Sequence, residues 1–284
     1  MPPSIPILNP HATHASSPGA LLGSVSAHRQ LIAQMVRREV VGRYRGSALG
    51  LAWSFFNPVL MLAIYTLVFS GIFKARWNLS GEPEGTGQFA IVMFVGMIVL
   101  NLFVEVLNRS PTLILSNPNF VKKVVFPLEI LPVVTMGAAL FHMLVSVGVL
   151  VVAILLVHGT LPWTALLLPV VVVPLVLLAL GVSWALASLG VYLRDVAQGV
   201  GLVSSALMFL SPIFYPLAAV PERFRPLIAA NPLTFIIEQA RRLLITGQLP
   251  DWSGLAVFTA LTAAVAWLGF AWFQKTRKGF ADVI

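Results

Sequence analysis

Few side chains in this 284-residue sequence are arranged for catalysis. The chain has no H-E-x-x-H zinc motif, no G-x-S-x-G nucleophile elbow and no cysteine, which excludes thiolate chemistry and disulfides. Glu82 and Glu84 lie beside Pro83 and Gly85, a composition typical of a solvated turn rather than of an acid–base pair. A phosphate-binding G-x-x-x-x-G-K-S/T loop is also absent, so the sequence indicates neither an enzyme nor an ATPase and predicts no cofactor or metal site in this chain.

Two ionisable residues lie within long apolar stretches, Glu105 and His142. Ionisable groups are costly inside a membrane and often mark ion pathways. Glu105 is near the end of its stretch, within reach of the interface, and a single histidine is more often a contact between helices. Two such residues are few for a proton relay, so the sequence favours an energy source outside this chain.

Aromatic side chains are the remaining candidates for handling a substrate. Tyr65, Phe69 and Phe73 recur every fourth residue, which places them on one helix face. Three further aromatics, Phe209, Phe214 and Tyr215, lie in another apolar stretch and its end. Flat aromatic faces can stack on sugar rings, so all six are predicted to line a channel. The alternative interpretation is a stripe that packs against other helices or faces lipid.

The amino-acid composition indicates the environment, water or membrane, in which these residues lie. The sequence is 58% hydrophobic and only 10% charged, with a mean hydropathy of +0.91. An ordinary soluble domain is about 45–50% apolar and about 25% charged. The chain is therefore predicted to be an integral membrane protein. Its net charge of +8 is distributed around predicted membrane boundaries, which argues against nucleic-acid binding.

Six nearly uncharged stretches are long enough to cross a bilayer, which takes about 20 mostly apolar residues. They cover residues 51–73, 88–108, 131–157, 162–191, 198–217 and 255–273. The turn-like residues 158–162 separate the third stretch from the fourth, so these two are predicted to form a tight hairpin. The predicted fold class is an all-α integral membrane protein with six transmembrane helices.

The positions of Lys and Arg predict the orientation of these helices. If the N-terminus is cytoplasmic, twelve of the 18 basic residues lie on the cytoplasmic side. These are Arg29, Arg37, Arg38, Arg43, Arg45, Arg109, Lys122, Lys123, Arg194, Lys275, Arg277 and Lys278. The other six are Lys74, Arg76, Arg223, Arg225, Arg241 and Arg242. Both termini are therefore predicted to be cytoplasmic.

The segment before the first stretch has two parts. Residues 1–26 are rich in Pro, Ser, Ala and His and are predicted to be a disordered tail, in which His11 and His14 are interpreted as incidental. Residues 28–42 have an apolar side and a basic side, which predicts an amphipathic helix in the membrane interface. Glu39 projects from the apolar side, so we expect it to meet a cation.

The start of the first stretch carries a specific pattern. Residues 43–53 read RYRGSALGLAW, and Asn57-Pro58 follows. This string resembles the membrane subunits of ABC-2 type exporters, in the group that exports O-antigen, capsule and teichoic-acid polymers. The resemblance implies that Arg43 and Arg45 lie near the place where a lipid phosphate enters.

Four more segments extend the resemblance over about residues 28–278 of a predicted domain 27–284. Residues 117–132 read NPNFVKKVVFPLEILP, similar to the family's cytoplasmic loop. The resemblance implies that this loop docks on a separate ATPase through Asn117, Phe120, Val121, Lys122 and Lys123. Arg194 and Asp195 match a pair at the cytoplasmic boundary. Residues 211–216 (SPIFYP) and 231–234 (NPLT) resemble elements beside short re-entrant helices in the last outer loop.

The resemblance also implies an assembly. Two copies of the chain would pair as a homodimer and bind two copies of an ABC ATPase, which would hold ATP and Mg. ATP hydrolysis would drive a lipid-linked polysaccharide across the bacterial cytoplasmic (inner) membrane, as in lipopolysaccharide biosynthesis. Two alternatives stay open: an ABC-2 exporter of drugs or small lipophiles, and an ion-coupled carrier without an ATPase.

Overall fold

The computed structural model describes residues 16–73, 87–122 and 126–284, and every regular element within them is helical. Five segments are long and apolar enough to cross a membrane. They are Gly50–Ile72, Gln88–Thr112, Ile130–His158, Trp163–Tyr192 and Trp252–Val283. The predicted all-helical membrane fold is therefore confirmed, and five of the six predicted stretches coincide with these segments. Lys74, Arg76, Glu82, Glu84, Lys123, His11 and His14 lie outside the described residues.

The α-helices of the described residues are numbered in chain order. They are α1 (Pro18–Ala27), α2 (Arg29–Arg43), α3 (Trp53–Tyr65), α4 (Gln88–Arg109), α5 (Pro118–Lys122), α6 (Ile130–His158), α7 (Leu168–Tyr192), α8 (Val196–Leu210), α9 (Arg225–Ala230), α10 (Pro232–Arg241), α11 (Trp252–Thr276) and α12 (Phe280–Val283). Two of them continue as π-helix, α3 over Thr66–Ile72 and α10 over Arg242–Thr246. The predicted hairpin joins α6 to α7, and Gly159 ends α6 with a φ of 74°, a conformation that favours glycine.

The bundle has two distinct ends. The end that carries the loop from α4 to α6 and the chain after α11 is called the basic end, because most of the predicted cytoplasmic cations lie there. There Ser188 Oγ lies 2.6 Å from Thr276 Oγ1, which joins α7 to α11. The other end carries the 158–162 turn and is called the hairpin end. There Thr164 Oγ1 donates to the carbonyl of Leu243 over 2.6 Å.

Helix α4 forms the centre of the bundle. It is buried along most of its length, and its Phe, Val, Ile and Met side chains form the main core with α6, α7, α8 and α10. Helix α2 packs its apolar side against α6, with Met35 and Val40 buried, while Arg37 and Arg38 are exposed. The predicted two-sided helix is therefore present, and its apolar side contacts protein.

Helices α7 and α11 approach each other with their backbones in contact. A Cβ atom on Gly181 would lie 2.6 Å from the carbonyl oxygen of Val265, and one on Gly269 would overlap the carbonyl of Gly181. Gly190 of α7 likewise allows the backbone of the loop after α4 to come close, because a Cβ on Gly190 would overlap the carbonyl of Pro111. Small residues that allow such approach are the usual device of helix packing in membranes.

The predicted stretch 198–217 is not confirmed as a sixth membrane-spanning helix. Helix α8 ends at Leu210 after 15 residues, a length of about 22 Å where the apolar core of a bilayer takes about 30 Å. Ser211 adopts an extended conformation, with a ψ of 143°, immediately before Pro212. A residue before proline is driven out of the helical region, and proline supplies no N–H, so the helix cannot continue.

The predicted disordered tail is wrong for its described C-terminal part. Ser17 caps α1 by accepting a hydrogen bond from the N–H of Ala20 over 3.2 Å, and Pro18 occupies the first helical position. Leu21 packs against an apolar cluster at the basic end, whose buried members include Ile114, Trp184, Phe273 and Phe280. Trp267 Nε1 donates to the Ser16 carbonyl over 3.0 Å. These contacts order a segment whose composition alone indicated disorder.

Candidate functional site

A polar cavity of about 530 Å³ lies between the end of α2, α3, α4 and α6. Its polar lining is unusual in a chain this apolar. The lining includes Arg43, Tyr44, Ser54, Asn57, Tyr65, Asn101, Glu105, Asn108, Arg109, His142 and Ser146. Hydroxyl, amide and charged groups therefore face one space between apolar helices, and this space is the candidate site.

Three of the lining residues form a charged cluster. Arg43 Nη1 lies 2.8 Å from Glu105 Oε1 and 2.9 Å from His142 Nδ1. His142 Nδ1 lies 3.1 Å from both carboxylate oxygens of Glu105. Glu105 and His142 are largely buried, so each ionisable group in this cluster has a partner that offsets part of its desolvation.

A second ion pair lies beside the cluster. Arg109 at the end of α4 contacts the carboxylate of Glu39 on α2, which confirms the prediction that Glu39 meets a cation. Arg109 also lines the cavity. Arg45 differs, because it is exposed and makes no ion pair within residues 16–73, 87–122 and 126–284. Its charge faces outward at the basic end.

The predicted coupling residues form a short turn and helix. Asn117 Nδ2 donates to the Leu113 carbonyl over 2.9 Å, and Phe120 stacks on Phe126 with ring centres 4.1 Å apart. Phe120 and Val121 are half-buried and pack against the apolar cluster of the basic end. Asn119 is the exposed residue among those described in α5. The side chain of Lys122 and all of Lys123 lie outside the described residues.

Arg194 and Asp195 form the turn between α7 and α8. Both are exposed, and neither makes an ion pair with another residue that the structure describes. Asp195 occupies the N-cap position of α8, where its backbone carbonyl accepts from Gln198 over 3.0 Å. The pair therefore lies on the surface of the basic end.

Five of the six predicted channel aromatics fall into two groups, and the sixth, Tyr215, is partly buried beside the end of α8. Phe69 is half-buried, and its ring stacks on Phe89 and on Phe214, with centroid separations of 5.6 and 5.8 Å. Tyr65 also packs against the core, so packing explains these positions. Phe73 and Phe209 are 67% and 68% exposed and are the aromatics left free to meet a substrate, lipid or another chain.

The chain after α8 exposes backbone carbonyls that side chains then satisfy. Tyr215 Oη donates to the Phe209 carbonyl over 2.9 Å. Asn231 Nδ2 donates to the Leu210 carbonyl over 3.2 Å and to Ser211 Oγ over 2.9 Å. The break at Pro212 is therefore stabilised from the loop that follows, as a non-helical backbone at membrane depth requires.

Arg241 completes this arrangement from the far end of α10. Its side chain is 5% exposed. Its Nη2 donates to the Ile213 carbonyl over 3.4 Å, its Nε to the Val92 carbonyl over 3.2 Å, and its Nη1 to Glu238 over 2.8 Å. The sequence predicted Arg241 to be one of the loop cations on the outer side. The structure instead buries it, because a guanidinium can satisfy several carbonyls at once.

These features define a multi-pass helical membrane protein with a polar site between its helices. The chain belongs to the ABC-2 type transporter family, whose model matches residues 30–245. The resemblance seen in the motifs is therefore confirmed, and with it the prediction of a membrane transport subunit.

Individual relatives match over nearly the whole chain. An O-antigen export system permease protein of Myxococcus xanthus is 28% identical over 93% of this chain and 99% of its own length. A protein of the same name from Klebsiella pneumoniae is 26% identical over 89% of this chain and 95% of its own length. A polysialic acid transport protein of Escherichia coli is 23% identical over 85% and 91%.

Proposed function

We propose that the chain is the permease subunit of an ATP-driven exporter that moves a lipid-linked, O-antigen-like polysaccharide across the bacterial cytoplasmic (inner) membrane. The observation that carries this proposal is the extent of the match. Relatives named for O-antigen export align with 89–93% of this chain and 95% or more of themselves. The similarity therefore includes the spans, the cavity and the loop at the basic end.

The proposed assembly contains two copies of this chain and two copies of a separate ABC ATPase, which holds ATP and Mg. Two helices support the pairing, because they leave most of their apolar side chains exposed. In α3, Pro58 is buried while Phe55 and Leu60 are exposed, and in α8 Leu202 and Phe209 are exposed. Lipid or a second copy must cover these faces.

The proposed topology has six crossings, with both termini and the basic end in the cytoplasm. The fifth crossing in chain order, which adds to the five long segments, consists of α8 and the non-helical chain that follows it toward the hairpin end. Helices α9 and α10 would then be short re-entrant helices on the outer side. The excess of Lys and Arg at the basic end supports this orientation.

Arg43 and Arg45 would meet the lipid phosphate where the substrate enters. Arg45 is exposed for a first contact, and Arg43 lies at the mouth of the polar cavity. A guanidinium matches a phosphate with two parallel hydrogen bonds, which suits this role. On the path beyond, Phe73 and Phe209 would offer ring faces to sugars without demanding one hydrogen-bond pattern.

The loop at the basic end would bind the ATPase, with Arg194 and Asp195 on the same surface. Since Phe120 and Val121 pack inward, Asn119 is the position that tests docking without disturbing the loop. We expect Asn119→Trp to weaken binding of the ATPase about tenfold or more, because docking depends on a few central, closely packed contacts. Pull-down of the ATPase with the purified permease measures the loss.

The matched control places the same ring at the hairpin end, as Gln248→Trp at another exposed position. This variant should bind the ATPase as the wild type does. Equal binding by the Asn119→Trp variant, with an unchanged melting temperature, would contradict docking at α5.

A further inference from the structure

Glu129 is a buried carboxylate that the proposed function leaves without a role. It lies where the loop at the basic end enters α6, and its side chain is 11% exposed. Its Oε2 lies 2.6 Å from Nη1 of Arg277, and its Oε1 accepts a hydrogen bond from Ser24 over 2.9 Å. Its backbone carbonyl accepts from Trp184 Nε1 over 3.0 Å. One residue thus connects the loop to α1, to α7 and to the chain after α11.

Arg277 holds the loop at a second point. Its Nη2 donates to the carbonyl of Phe126 over 2.9 Å, and its Nη1 donates to the carboxylate of Glu129. The guanidinium is therefore hydrogen-bonded to both ends of residues 126–129. Phe126 in turn stacks on Phe120, with ring planes only 7° from parallel. A continuous series of contacts therefore runs from α5 to the end of α11.

The other end of the loop is fastened to the same pair of helices. Ser110 Oγ donates to Ser183 Oγ on α7 over 2.7 Å, and Gly190 of α7 admits the backbone of Pro111. Helices α7 and α11 are themselves in backbone contact at Gly181 and Gly269. The loop is thus attached at both ends to the α7–α11 pair, although the chain connects it to α4 and α6.

Stability alone does not explain a buried ion pair at this point. Removing two charges from water costs about as much as their attraction returns, and apolar replacements are often equally stable. What a guanidinium–carboxylate pair adds is a fixed, directional connection. The pair therefore sets the position of the loop against α11.

On the basis of the proposed function, we infer that Glu129 and Arg277 are positioning residues of the transport cycle. They fasten the ATPase-binding loop to α11, so that displacement of α5 by the ATPase moves α7 and α11 as one unit. Without the pair, the ATPase still binds and hydrolyses ATP, but its movement no longer reaches the spans.

The first test is a charge exchange in the complete complex with the ATPase. Glu129→Arg and Arg277→Glu should each lower the amount of polysaccharide exported per ATP hydrolysed by about tenfold, the effect of losing roughly 1.4 kcal/mol of coupling. ATPase binding should persist in both. The double exchange should recover the ratio to within about threefold, as expected for two residues that act as a pair. Lys275→Glu reverses an exposed charge in the last turn of α11, two residues before Arg277, and should change nothing.

A second test works on one folded preparation. The chain has no native cysteine, so Glu129→Cys/Arg277→Cys supplies the only two thiols in the permease. Bridging them with a bifunctional methanethiosulfonate of matching length should raise export per ATP severalfold, and reduction should reverse the gain.

Two results would overturn the inference: single variants that keep the wild-type ratio of export to hydrolysis, or a bridge that leaves the ratio unchanged. Failure of the proposed function is a different result. In that case the wild-type complex itself exports no polysaccharide with ATP, whatever stands at positions 129 and 277.

Discussion

Arg43→Gln should reduce polysaccharide export at least about tenfold, whereas Glu105→Gln should leave export within about threefold of the wild type. Both substitutions remove the same ion pair, whose Nη1–Oε1 distance is 2.8 Å. The two variants differ in whether a free guanidinium remains in the cavity. The glutamine at position 43 cannot bind a phosphate with charge, while the glutamine at position 105 frees Arg43 to do so.

The comparison separates a role in substrate binding from a role in stability. A hydrogen bond to a charged group contributes about 1.5–3 kcal/mol, which corresponds to roughly 10- to 150-fold in rate if the bond is needed in transport. Export of a lipid-linked polysaccharide into vesicles, normalised to folded permease, measures the effect. Equal losses in the two variants would show that Arg43 serves only to neutralise Glu105.

Arg241→Met should lower the free energy of unfolding by about 3 kcal/mol and abolish export, because it strands the Ile213 carbonyl and removes the cation that pairs with Glu238. Methionine keeps the unbranched apolar stem and removes the donors. The Ile213 carbonyl then loses its partner, the Val92 carbonyl keeps only its bond within α4, and the chain after Pro212 loses its attachment to α4. Thermal unfolding of the purified permease in detergent and export by the complex measure the two effects.

The neighbouring arginine provides the matched control. Arg242 begins the π-helical extension of α10 and is only partly buried, so Arg242→Met should change the stability by less than about 1 kcal/mol. Similar stability and export in the two variants would contradict the role given to Arg241 in holding the broken helix.

The spans were predictable from the sequence because the apolar stretches are long and continuous. Segments such as 88–108 and 131–157 differ from the structure by only a few residues at their ends, where capping groups decide. Helix α11, for example, begins at Trp252 because Asp251 accepts a hydrogen bond from the N–H of Gly254 over 3.0 Å. The hydrogen bonds that Asp251 accepts from the Gly254 N–H and the Ser253 hydroxyl hold its pKa below the ordinary value.

The fifth predicted stretch, residues 198–217, shows what composition alone does not predict. These residues carry no charge, yet the helix ends before Pro212, and the freed carbonyls are satisfied by Asn231 and Arg241 from later in the chain. Hydropathy reports the preference for lipid and carries no information about those partners. The same holds for α1, which is ordered by contacts to Glu129 and Trp267 far along the chain.

The charged cluster was predictable only in part. The sequence favoured His142 as a contact between helices, but it placed Glu105 within reach of the interface and predicted no partner for it, since Arg43 and His142 lie 62 residues before it and 37 residues after it. They meet because the end of α2 and the middle of α6 both pack against the last turns of α4. Arg241 gave no signal at all, because a cation between helices has the same sequence pattern as a cation in a loop.

The most direct test is transport by the purified permease in proteoliposomes, with its ATPase, a lipid-linked polysaccharide and no ion gradient. Polysaccharide should become inaccessible to external glycosidase when ATP is added, at a rate that falls to background with a hydrolysis-deficient ATPase. The central claim would be contradicted by transport that needs an ion gradient and no ATPase, or by ATP-driven movement of small lipophiles with no movement of the polysaccharide.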